Sequence, residues 1–132
     1  MRPIETLSDR ELDALVAEKV MGWTDIWTDG DYFMAYPPHE QRIMQKMGVG
    51  YAERYPIPNY SSEISAAWEV VEKMRQEGLT VTITTPPTGW KNWDVRGWDD
   101  NNNDNRFIAR ADTAPRAICI AALHAKGVRE VE

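Results

Sequence analysis

The stretch Tyr60–Leu79, YSSEISAAWEVVEKMRQEGL, constrains the fold more than any other, because it reads as one amphipathic helix with both ends marked. Ile64, Ala67, Trp68, Val71 and Met74 recur at three- and four-residue steps and so share a face. Glu63, Glu69, Glu72, Lys73 and Gln76 fall elsewhere, with Glu69 and Lys73 in the favourable i, i+4 order. Ser61 or Ser62 can cap the first amides, and Gly78 can take the left-handed turn that ends the helix. Leu79, Val81 and Ile83 then alternate with Thr80, Thr82 and Thr84, the pattern of a strand with one buried face. Helix and strand together predict a layered domain.

The flanks supply the other layers. Ser8-Asp9-Arg10-Glu11 matches a capping box, with Leu7 and Leu12 placed for a hydrophobic staple, and predicts a first helix over Asp9–Met21. Trp23–Tyr36 reads as a hairpin turning at Asp29-Gly30, closed by Pro37-Pro38. The segment 37–58 reads as an insertion or lid. After the strand at Leu79, a second is predicted around Trp93 and Val95. Asp99–Asn105, DDNNNDN, reads as a polar turn, and a last strand follows around Phe107, Ala109 and Ala111. The final helix starts near Asp112 or Thr113, tolerates Pro115 in its first turn and ends at Gly127.

That final helix is apolar almost all round. Ala114, Ala117, Ile118, Ala121, Ala122 and Ala125 make a small-residue face, while Cys119, Ile120 and Leu123 cover most of the rest. Such a helix must be buried on more than one side, and in a chain of 132 residues the second covering can be another subunit. A homo-oligomer is therefore expected. The fold class expected is α/β in the α+β sense. One domain over residues 1–132 has a mostly antiparallel sheet layered between helices as a three-layer α-β-α sandwich.

Composition narrows the chemistry. The net charge of −6 with no Lys/Arg cluster argues against a nucleic acid polymer as partner. No apolar run reaches the about 18 residues of a membrane span. The N-terminus lacks the apolar centre of a signal peptide, and one cysteine cannot form an intrachain disulfide. These features point to the cytoplasm. Cys119 and His124 stand five residues apart, off a common helix face, and the thiol sits among alanines and isoleucines as a core residue would. Two histidines and one cysteine build no ordinary zinc site. DDNNNDN carries Asp104 where a calcium loop needs glycine and Arg110 where it needs glutamate. No metal, cofactor or catalytic set is expected, and an enzyme is the weakest reading.

A binding constellation remains. Six tryptophans and five tyrosines are many for so short a chain; they either pack the core and surface grooves or line a pocket that stacks planar rings. Trp90, Trp93 and Trp98 crowd one segment with Lys91 and Arg96. Tyr60, Ser61 and Ser62 lead into the central helix, whose first amides favour an anion. Indoles for a base, with amides and arginine for phosphate, suit a nucleotide-like ligand. The candidate contacts are Tyr60, Ser61, Ser62, Trp90, Trp93 and Arg96, with Arg54 and Arg106 as further phosphate partners. The competing reading makes Ser61 a plain helix cap and packs the tryptophans on the sheet.

Three segments together resemble the phage ABA sandwich domain family of small bacteriophage proteins: ELDALVAEKVMGW (Glu11–Trp23), YSSEISAAWEVVEKM (Tyr60–Met74) and FIARADTAPRAICIAAL (Phe107–Leu123). The resemblance implies a helix–sheet–helix layered fold and a phage accessory role, and brings no catalytic residues. Residues 39–58 and the DDNNNDN hairpin depart from the pattern. By analogy with phage sponges, the expected function is non-enzymatic sequestration of a nucleotide-derived immune signal. The alternative is a protein-interaction module that inhibits a host protein or serves a phage assembly, recognisable by an exposed apolar patch, for instance on the last helix.

Overall fold

In the computed structural model, residues 1–30, 32–38 and 54–132 are described. They form a mixed α+β sandwich in which every paired strand is antiparallel, the class expected. The lid reading falls mainly on residues 39–53, outside the described ones.

The first helix, α1 (Asp9–Lys19), begins with the full capping box: Ser8 Oγ accepts from the Glu11 amide, and Glu11 Oε1 accepts from the Ser8 amide. The hairpin follows as β2 (Thr24–Asp29) and β3 (Tyr32–Tyr36), joined through Gly30 at φ +60°, and β4 (Tyr55–Pro56) adds to β3. Counting the first strand as β1 (Arg2–Pro3) and the last as β8 (Glu130–Val131), the two chain ends pair with each other.

The central helix, α2 (Ile64–Gln76), is shorter at its start than expected. Its N-cap is Glu63, not Ser61 or Ser62, and the Ser62 and Glu63 amides both donate to the Asn59 carbonyl. Gly78 closes it at φ +82°. The buried face also lies further round the helix: Ala66, Ala67, Val70 and Met74 face in, while Ile64 and Trp68 are 55% and 58% exposed. Small residues win the buried side because α2 packs against the alanine-rich final helix, α3 (Ala114–Ala125), where an indole would hold the two axes apart.

The main sheet runs β5 (Leu79–Thr84), β6 (Trp93–Asp99), β7 (Asn102–Ala111) in that spatial order. The polar run expected to be all turn starts β7 already at Asn102. α3 is capped by Thr113, carries Pro115 in its first turn and packs on β6 and β7. It also packs against α2 and α1. Residues 117–123 are all buried. Both flanks of this apolar helix are thus covered within the chain, so the reason given for a second subunit at α3 is gone, and α3 offers no exposed apolar patch.

Candidate ligand-binding face on the outer side of the sheet

Strand register sorts the sheet residues onto two faces. Leu79, Val81, Ile83, Trp93, Val95, Phe107, Ala109 and Ala111 fall on the helix side. The other side carries three rows running across the strands: Thr80–Trp98–Arg106, Thr82–Arg96–Ile108 and Thr84–Asp94–Arg110. Thr82, Thr84, Arg96, Arg106, Ile108 and Arg110 are exposed there, and Thr80, Asp94 and Trp98 half-buried. Position 97 must be glycine for the sheet to close over its core. A Cβ there would stand 2.3 Å from both Phe107 Cζ and the Thr80 carbonyl.

Asp94 organises this surface. Its carboxylate accepts from Arg96 at 2.8 and 3.2 Å and from Arg110 Nε at 3.0 Å. The Arg96 hydrogen bonds, then those of Arg110, hold its carboxyl below the usual aspartate value. Two hollows share Arg96. One, of about 660 Å³, is bounded by Thr84, Pro87, Trp90, Asn92, Asp94 and Arg110; the other, of about 350 Å³, by Thr82, Trp98, Arg106, Phe107, Ile108 and Arg129. Together they hold four arginines against one carboxylate, on a chain of net charge −6. None of the six tryptophans is fully buried, and Trp90 is 74% exposed. Trp23 and Trp93 nevertheless pack, half-buried, against the core.

The candidate contacts fall into separate groups. Trp90, Arg96 and Arg106 lie on the outer side of the sheet. Trp93 is on the helix side, half-buried against the core. Arg54 stands 4.9 Å over the Tyr36 ring and donates to the Asp25 carbonyl, on the hairpin. Tyr60 and Ser61 are buried, at 2% and 1% exposure. Ser61 is a brace rather than a cap: its amide and hydroxyl each donate to Asp13 Oδ1, and its hydroxyl reaches the Asp9 carbonyl at 3.0 Å. Ser62, exposed, sits on the rim of a third cleft with Ser8, Asp9, Asp112, Thr113 and Arg116. There Arg116 is already engaged by Asp9 and by the Glu5 and Leu7 carbonyls. At the start of α2 itself, Glu63 makes no side-chain cap, and its carboxylate accepts from Asn59 Nδ2 at 3.0 Å.

Sequence reading missed Asp94, Trp98 as a contact, Arg110 and Arg129. The first three share the outer parity of β6 and β7, a signal available from strand alternation alone. Arg129 reaches the site through the chain terminus, which no local pattern announces. Burial pushes the Cys119 thiol well up, leaving it unsuited as a nucleophile. Among the described residues no cluster of three His, Cys, Asp or Glu side chains could hold a metal ion. Among the same residues no helix is long and apolar enough to cross a membrane.

No curated protein matches the chain. A solved structure of a phage protein from Bacillus cereus ATCC 14579 resembles it with a TM-score of 0.65 at 25% identity, over 96% of this chain and 94% of that one. The profile of the Phage ABA sandwich domain matches residues 14–123, and the chain belongs to that family.

Proposed function

We propose that this phage-family protein is a non-enzymatic accessory protein that binds a nucleotide-derived signal on the outer side of its sheet and withholds it from a host effector. The observation that carries the reading is Arg96, shared by two hollows with Trp90 beside one and Trp98 beside the other. Indoles offer stacking faces for a base, and arginines in a fork recognise phosphate oxygens bidentately. Asp94 accepts from Arg96 Nε and Nη2, so an arriving phosphate competes with that carboxylate for the guanidinium. An anion is drawn to this patch by local charge although the whole chain is acidic. Sequestration needs no acid–base pair, which fits two hollows whose lining carboxylate, Asp94, is tied up by two arginines.

The test is depletion without turnover. The protein is mixed in excess with cyclic dinucleotides or cyclic ADP-ribose isomers, the free ligand is assayed after filtration, and the protein is then heated to release what it holds. Stoichiometric loss with intact ligand recovered on heating, abolished in Arg96→Ala, is the expected result. Chemically altered ligand means an enzyme. A set of compounds that all stay free, even at low salt, defeats the reading.

A further inference from the structure

The two edges of the main sheet are built differently. On the β7 edge, His124 Nδ1 is 3.0 Å from the Ile108 carbonyl, and the strand itself carries Arg106 and Arg110. Charged side chains and a covering helix group are the usual protections of an exposed edge. β5 has none of them. Leu79–Thr84 contains no proline, glycine or charge, pairs with β6 in unbroken register, and has no strand on its other side among the described residues. The Gly78 carbonyl accepts from the Asp100 amide, so the even-numbered positions face β6. Alternation then turns the amides and carbonyls of Leu79, Val81 and Ile83 to the open edge.

A second observation lies beside it. α2 packs against both β5 and α3, and its Glu77 end is joined to α3 through Lys126 at 2.7 Å. Ile64, Trp68 and Val71 follow at i, i+4 and i+7 on one flank of α2, and Trp68, nine residues before Glu77, lies across the helix from that link to α3. The first two are more than half exposed, and Val71 is half-buried. Arg75 continues that flank, but Glu72 of the same helix pairs with it. The flank is therefore apolar and locally neutral.

We infer that a second copy of this chain docks here, β5 against β5, to make a six-stranded sheet across a two-fold axis. The strand fits itself. Antiparallel pairing centred on Val81 sets Leu79 of one copy opposite Ile83 of the other and Thr80 opposite Thr82, so each face meets its own kind. The groups exchanged are those of Leu79, Val81 and Ile83, the ones the open edge presents. A two-fold axis perpendicular to the sheet keeps both helix layers on the same side. It brings the two α2 flanks together and covers both copies of Ile64 and Trp68. Open edge and apolar flank thus call for one occupant, along the strand whose Thr82 and Thr84 border the arginine-lined hollows.

Sedimentation equilibrium tests this on the whole chain. Wild-type protein should show twice the 15.1 kDa chain mass. Trp68→Glu, at an exposed position, and Val81→Pro, which removes one outward-facing amide, should each return the mass to that of one chain. Circular dichroism would confirm that the helices remain. Hydrogen exchange gives a readout without any variant: on dilution of the wild type, the amides of Leu79, Val81 and Ile83 should lose protection while those of Thr80 and Thr82 keep it. A wild-type monomer at millimolar concentration, a dimer surviving either substitution, or edge amides whose protection ignores dilution would overturn the inference. So would capture of Trp68 by an unrelated protein in the absence of self-association.

Discussion

The amide and the hydroxyl of Ser61 both donate to one oxygen of Asp13, each at 2.7 Å, across 48 residues of chain. The other oxygen of Asp13 accepts from Arg10 at 2.8 Å, and Arg10 also bonds Asn59 and the Ile57 carbonyl. With Asp13 fully buried, this set fixes the segment before α2 onto α1. Burial nevertheless leaves its carboxyl above the ordinary aspartate value, against the lowering effect of the Ser61 hydrogen bonds and the Arg10 charge. Ser61→Ala should lower unfolding stability by about 1–3 kcal/mol, since one donor to a buried carboxylate is lost. Asp13→Ala should cost more, roughly 3 kcal/mol, because Arg10 and the Ser61 groups lose their shared acceptor. Urea denaturation of the two variants checks both the order and the size.

The difference between what was and was not legible follows sequence distance. Ser8 and Glu11, Asp29-Gly30, and Thr113 with Pro115 act through neighbours a few residues away, and their turns and caps stand where the sequence places them. Ser61 is read as a cap because its local context is that of a cap, whereas its partner Asp13 lies on another helix. Trp68 is assigned to the core by helical period, but the period defines a stripe about 100° wide without its exact heading. The heading is set by the alanines of α3. The arginine face needs the register of three strands, of which sequence gives only the parity.

Gly97 sits in the middle strand with Phe107 against its Cα, so its substitution tests how tightly the two faces are coupled. Gly97→Ala should cost about 1–3 kcal/mol, because the Thr80 carbonyl is backbone and cannot swing aside. The added methyl would also displace Phe107 from the core, so loss of near-ultraviolet circular dichroism should accompany the lower melting point.

Asp94 links the outer face to pH. Its folded value lies below the ordinary 3.8, so the stability it contributes is fully present above that value and is lost as pH falls through the lower folded one. The group is near the surface, and the loss should be under about 1 kcal/mol. Asp94→Asn should remove this acid-side dependence. If the arginine face takes anions, the same substitution should also tighten pyrophosphate binding a few-fold at neutral pH, since a carboxylate competing for Arg96 and Arg110 is gone. Denaturation at pH 7 and pH 3, with calorimetric titration of pyrophosphate, measures the two effects separately.

Tyr60 supplies the opposite limb. Burial pushes its phenol up to about 12 from an ordinary 10, and a hydrogen bond with the Trp23 side chain works the other way without cancelling it. An acid whose folded value is raised keeps its proton in the folded state while the unfolded chain has already released it. Folding stability therefore declines as pH rises from 10 towards 12, by roughly 2–3 kcal/mol at the end of that range. Spectrophotometric titration at alkaline pH should show one of the five tyrosines ionising late, and only as the protein unfolds. Tyr60→Phe should abolish the late step and flatten the alkaline stability curve. A late step that survives in Tyr60→Phe would place the buried phenol elsewhere in the chain.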